Sequence, residues 1–137
     1  MSERLTPHAA LIYVMVVMAA ADRRMSDREL KAIGTLVQTL PVFTGFDPEK
    51  LVATAEDCAA VLGEKDGLDH VFAKVRASLP EGLRETAYAL AVEVAAADGK
   101  ASQEELRLLE IIRDRLPVER LAASAIERSA HARYAKL

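Results

Sequence analysis

The chain has no tryptophan, a single cysteine, and only three phenylalanines and three tyrosines among its 137 residues. One thiol, Cys58, cannot build an intramolecular disulfide framework or a cysteine-based zinc site, and this usage points to a reducing compartment. Glycine and proline are sparse at six and five, and no stretch alternates apolar and polar residues at period two, so no strand is expected. An excess of positive charge is also missing. Eighteen Lys and Arg face 21 Asp and Glu, giving a net charge of −3 and a pI near 5.6. Neutralising phosphates without sequence preference requires a basic face, so nucleic acid is excluded as a partner. The longest apolar run, Ala9 to Ala21, has 13 residues, short of the roughly 20 that a membrane-spanning helix needs. Its length would suit a secretory segment, but the only cation ahead of it, Arg4, is offset by Glu3.

What the chain does have is helix-forming mass. Alanine contributes 25 residues and leucine 17, both strong helix formers. An apolar share of 51% beside 28% charged residues excludes disorder, and the length suits one domain with one core. The expectation is an all-α, single-domain bundle over residues 1–137.

An internal repeat organises it. Residues 19–42 laid over 95–118, at an offset of 76, give ten identities in 24 ungapped positions. Ala-Ala-Ala-Asp recurs at 19–22 and 95–98, Ser26 falls on Ser102, Glu29-Leu30 on Glu105-Leu106, and Leu40-Pro41-Val42 on Leu116-Pro117-Val118. Alanine abundance accounts for the alanines but not for the Asp, Ser, Glu and Pro. Each copy, about 7–42 and 82–118, reads as helix, polar loop, helix and proline stop. The run at 9–21 therefore reads as a buried helix with a counterpart inside the chain, not as a leader.

About seven helices follow. Thr6-Pro7 starts the first, to about Ala21, with a capping hydroxyl and a proline where no amide donor is needed. Ser26 with Glu29, and Ser102 with Glu105, are capping boxes opening the second and sixth. Asp47-Pro48 opens the third, to Leu62; the fourth spans about 69–78, the fifth 81–97 and the seventh 119–135. Gly34 inside the second helix costs about 1 kcal/mol against alanine, and close approach of a neighbouring helix is the expected return. Each helix pair has one apolar face that it cannot bury alone. Val14, Val17, Ile33 and Val37 are thus expected against Leu90, Val94, Leu109 and Ile112, and Leu30→Ala or Leu106→Ala is expected to cost about 2–5 kcal/mol if both leucines are buried.

Chemistry concentrates in the two loops. Asp22 and Glu29, and likewise Asp98 and Glu105, are separated by six residues that a tight turn can fold back, bringing carboxylates together with Asp27 or Glu104 nearby. Such a set suits a hard cation, calcium or magnesium. The capping boxes and turn formation offer a purely structural account of the same residues. Gly99 permits a left-handed turn in the second loop, and Glu93 adds a carboxylate there. Arg23, Arg24 and Arg28 crowd the first loop with cations. The second loop is expected to be the better site, with a dissociation constant no tighter than about 10⁻⁵ M for so few carboxylates.

The segment Ala-Ala-Ala-Asp-Gly-Lys-Ala-Ser-Gln-Glu-Glu-Leu at 95–106, its partner at 19–30, Leu40-Pro41-Val42-Phe43 and Glu127-Arg128 together resemble the tellurite-resistance TerB-like family. That resemblance implies an all-helical bundle of two pseudo-repeated halves with acidic clusters that bind a divalent metal, carried here by Asp22, Glu29, Asp98 and Glu105. Arg23 departs from the usual Asp-Gly of the loop. Related domains occur fused to co-chaperone modules, but the chain has no His-Pro-Asp motif and that activity does not carry over.

Elsewhere the residues read as structure. Asp47 to Asp69 holds seven carboxylates against Lys50 and Lys65, a solvated acidic face that includes Glu64, Asp66, Asp69 and His70. His8 and His131 have no ligand partners at metal spacing. Cys58, Met15, Met18 and Met25 read as core. A basic bias near the last helix (Arg113, Arg115, Arg120, Arg128, Arg133, Lys136) could meet an acidic partner. No nucleophile set, phosphate loop or cofactor motif is present. The functional expectation is a cytoplasmic, non-catalytic divalent-metal-binding or tellurite/stress-response factor; the alternative is a metal-independent protein–protein interaction module.

Overall fold

The computed structural model describes residues 4–21, 26–97 and 101–137, which form seven α-helices with no strand among them. They are α1 (Pro7–Ala19), α2 (Asp27–Thr39), α3 (Leu51–Leu62), α4 (Gly67–Ser78), α5 (Arg84–Ala96), α6 (Gln103–Arg115) and α7 (Arg120–Arg133). The starts follow the caps. Thr6 Oγ1 accepts the Ala9 amide at 3.1 Å, with Pro7 in the first turn. The helices at Ser26 and Ser102 both open with reciprocal capping boxes.

Prolines that start or stop helices also tighten the adjoining turn. Pro41–Phe43, Pro48–Lys50 and Glu81–Leu83 are single 3₁₀ turns, so α3 and α5 each begin three residues later than the sequence suggests. A 3₁₀ turn is a common way to enter an α-helix where the first amides have no internal partner. The fourth helix begins two residues early, because Asp66 adopts a left-handed conformation at φ 56° and reverses the chain there. Gly67 follows with no room for a side chain: a Cβ there would lie 2.4 Å from the Leu62 carbonyl oxygen.

At the centre lies α1, buried from Ala10 to Ala19 around its whole circumference. Its broadest packing partner is α5; α3 and α4 cover another side of α1, while α6 and α7 lie on α5. An all-round apolar helix is stable in water only when neighbours enclose it, which is the structural meaning of the 13-residue apolar run. Val14, Val17, Ile33, Val37, Leu90, Val94, Leu109 and Ile112 are all buried in one continuous core cluster.

Two expectations fail. Leu30 and Leu106 are 49% and 46% exposed, whereas their preceding neighbours Glu29 and Glu105 are buried at 2% and 3%. The capping box causes this inversion, since a Glu side chain folded back onto the cap faces the loop and leaves the next position outside. Gly34 is the second: a Cβ there would meet nothing within 4 Å among the described residues, so no close helix approach depends on it.

Candidate functional site

The two acidic loops start from identical local chemistry. Ser26 Oγ accepts the Glu29 amide at 3.1 Å while the Ser26 amide donates to Glu29 Oε1 at 3.0 Å. In the second copy Ser102 Oγ accepts the Glu105 amide at 3.1 Å and the Ser102 amide donates to Glu105 Oε1 at 2.9 Å. Each box uses one carboxylate oxygen. Asp22 and Asp98 lie outside the described residues, as do Arg23, Arg24, Met25, Gly99 and Lys100. Among the described residues, no three His, Cys, Asp or Glu side chains gather closely enough to hold a metal. Glu29 and Glu105 are hard oxygen donors, so by donor chemistry they suit calcium or magnesium. Asp27 and Glu104 lie exposed in the first turns of their helices.

Glu93, expected to serve the second loop, is committed to α7. The Arg133 guanidinium pairs with it and the Tyr134 hydroxyl donates to its Oε2 at 2.8 Å. Two long side chains at the end of α7 thereby hold that helix to α5. Asp69 is also taken, by Arg115 at 2.8 Å, whose guanidinium stacks 5.2 Å above the Phe72 ring and joins α6 to α4. His70 sits 4.0 Å from Glu64 with both side chains about half exposed, so this acidic stretch is a solvated surface as the sequence suggests. His8 donates from Nε2 to the Val42 carbonyl at 2.8 Å, beside the rings of Phe43 and Phe46. That histidine anchors the turn after α2.

Cys58 is fully buried, and its thiol donates to the Tyr13 carbonyl at 3.8 Å. Burial pushes its pKa up to about 12, which disfavours the thiolate near neutral pH. Tyr13 is raised as well, first by burial and then by the neighbouring Cys58 and Asp57 charges.

One constellation escaped the sequence. A cleft of about 570 Å³ opens between α5, α6 and α7, walled by Val92, Leu106, Leu109 and Ala130. On its floor the buried Tyr88 hydroxyl donates to Glu127 Oε2, and Arg113 lies 3.5 Å from the same oxygen. Burial, then the Glu127 hydrogen bond and charge, drive the Tyr88 pKa well above the usual phenol range. The signal was present at the repeat offset: Tyr88, Glu110 and Arg113 stand where the first copy has Ile12, Gly34 and Val37. The polar residues of this site fall at departures from the repeat, whereas its wall residue Leu106 matches Leu30.

No curated protein and no solved structure was found to match the chain. The model of the family described as tellurite resistance protein TerB matches residues 8–128, a span that runs from the start of α1 into α7 and takes in both capped loops and the Tyr88–Glu127–Arg113 floor. No helix among the described residues is long and apolar enough to cross a membrane. With the all-helical architecture, the paired loops and this near-complete match in agreement, the chain belongs to the tellurite resistance protein TerB family.

Proposed function

We propose that this single domain is a non-catalytic, cytoplasmic divalent-cation binder of the tellurite or general stress response, with Asp98 and Glu105 as the principal ligands and Asp22 and Glu29 as a weaker pair. The supporting observation is the burial of Glu29 and Glu105 beside half-exposed leucines. Charged side chains are seldom fully buried unless paired or bound to an ion, and the same buried glutamate recurs seven positions after an aspartate in each copy. Calcium or magnesium suits this oxygen chemistry. Calorimetric titration with calcium, magnesium and zinc is expected to give heat with one of the first two, lost in Asp98→Ala and reduced in Glu105→Gln, with a smaller effect of Asp22→Ala. At 100 times the dissociation constant the ion should stabilise the fold by about 2.7 kcal/mol, visible as a melting shift reversed by EDTA. Absence of heat at millimolar metal, or undiminished binding by Asp98→Ala, overturns this function.

A metal-independent interaction module is the second proposal, favoured by one specific observation. Leu30 and Leu106 keep the same apolar type at the same half-exposed repeat position, where neither is needed to fill the core.

A further inference from the structure

The interaction module can be given a place and a partner chemistry. We propose that the cleft between α5, α6 and α7 is a docking groove for a basic amphipathic segment of another protein, its apolar side chains against Leu106 and Leu109 and its lysine or arginine heads on Glu110 and Glu127. This inference rests on the interaction proposal and is independent of any metal.

The first support is an internal control. The helix pair α1/α2 has Ile12, Gly34 and Val37 where α5/α6 has Tyr88, Glu110 and Arg113. Ile12 and Val37 are buried in the core. The same helix–loop–helix thus folds with an apolar lining at these positions, so the fold does not demand the polar set of the second copy.

Charge supplies the second. With His131 neutral at pH 7, the lining carries two carboxylates, Glu110 and Glu127, against the one guanidinium of Arg113. Arg113 is already engaged by Glu127, and Glu110 makes no ion pair among the described residues. A carboxylate offers about four acceptor positions, so Glu127 can take a further cation beside Tyr88 and Arg113. The groove consequently prefers positive charge. Its floor is also set in advance: Tyr88 on α5 and Arg113 on α6 both hold Glu127 on α7, which reduces the ordering cost of binding. An amphipathic helix on an apolar groove is a common recognition mode, and the long stems of Lys or Arg can cover apolar wall while their heads reach carboxylates.

The test uses an 18-residue amphipathic Leu/Lys peptide and its Leu/Glu counterpart, titrated into the full chain while amide NMR shifts and calorimetric affinity are recorded. The Leu/Lys peptide is expected to bind, with shifts concentrated at 88–96, 106–113 and 127–135, and more weakly at high salt. Glu110→Lys should weaken it at least tenfold and Leu106→Gln about fivefold, whereas Leu30→Gln at the matching position of the first copy should leave it unchanged. Both altered cleft positions are exposed, and unchanged melting of the variants verifies that they fold. Equal binding of the Leu/Glu peptide overturns the charge assignment. Binding that ignores Glu110→Lys, or that maps outside the cleft, overturns the location while leaving an interaction role standing. Failure of both peptides to bind overturns the proposal.

Discussion

The α1/α2 pair and the α5/α6 pair share their capping boxes, their exposed leucine and their proline stop, yet they do different work. In the first pair α1 is apolar around its whole circumference and serves as the axis of the core. In the second, α5 packs on that axis with one side and offers Tyr88 and Glu93 to α7 with another. The shared residues therefore define how a helix pair begins and ends, and the unshared ones define what it packs against. The proposed ligands Asp22, Glu29, Asp98 and Glu105 belong to the shared set, and the cleft pairing of Tyr88 with Glu127 to the unshared one.

The sharpest test of this division compares equivalent positions. Ile12→Ala should cost about 2–5 kcal/mol, because it opens a cavity in the fully enclosed helix. Tyr88→Phe keeps the ring and removes only a hydroxyl hydrogen bond to a half-exposed carboxylate, so about 1–2 kcal/mol is expected. Chemical denaturation of both variants measures the gap. If Tyr88→Phe costs as much as Ile12→Ala, the hydroxyl bond to Glu127 holds the second pair together as firmly as an enclosed side chain holds the first.

The halves should also separate on titration. Cys58 packs on α1 with its pKa raised from 9.0 to about 12 by burial, and Tyr88 on α5 is raised from 10.0. In both cases the folded state favours the neutral form. Above the ordinary value the unfolded chain loses its proton first, so stability is intact below pH 9 and falls as pH rises. The limiting slope is about 1.4 kcal/mol per pH unit for each group. Melting curves should show Cys58→Ala flattening the decline between pH 9 and 12, and Tyr88→Phe flattening it only above 10.

Much of this architecture was legible beforehand because helix starts are local events. Thr6, Ser26 and Ser102 specify their caps within four residues, and the structure has each of them. The family and the all-helical class were legible for the same reason. What could not be read was the fate of side chains whose partners lie far along the chain. Glu93 meets Arg133 and Tyr134 across some 40 positions, and Tyr88 meets Glu127 across 39; neither pairing has a local signature. Leu30 and Leu106 failed for a subtler reason. Their apolar character suggested core, but the rotation fixed by the neighbouring capping glutamate places them at the surface.

That inversion makes a smaller prediction. Leu30→Ala and Leu106→Ala should each cost about 1 kcal/mol, roughly what half-burial of a leucine contributes, and not the 2–5 kcal/mol of an enclosed site. Thermal denaturation of the two variants side by side should give nearly equal losses. A large loss for Leu106 alone would mean that the wall of the cleft closes in solution.

The smallest effect expected is a gain. Gly34 sits in the interior of α2 with space for a methyl group among the described residues, and its counterpart in α6 is Glu110, a full-sized side chain tolerated at the same register. Replacing Gly34 by alanine lowers the backbone entropy of the unfolded chain without strain in the fold, and should stabilise by about 0.4–1 kcal/mol. Gly67 is the control, because a Cβ there would strike the backbone carbonyls at the end of α3. Gly67→Ala should therefore destabilise by about 1–3 kcal/mol, the usual range for forced overpacking. If Gly34→Ala also destabilises, something outside the described residues approaches α2 at that face.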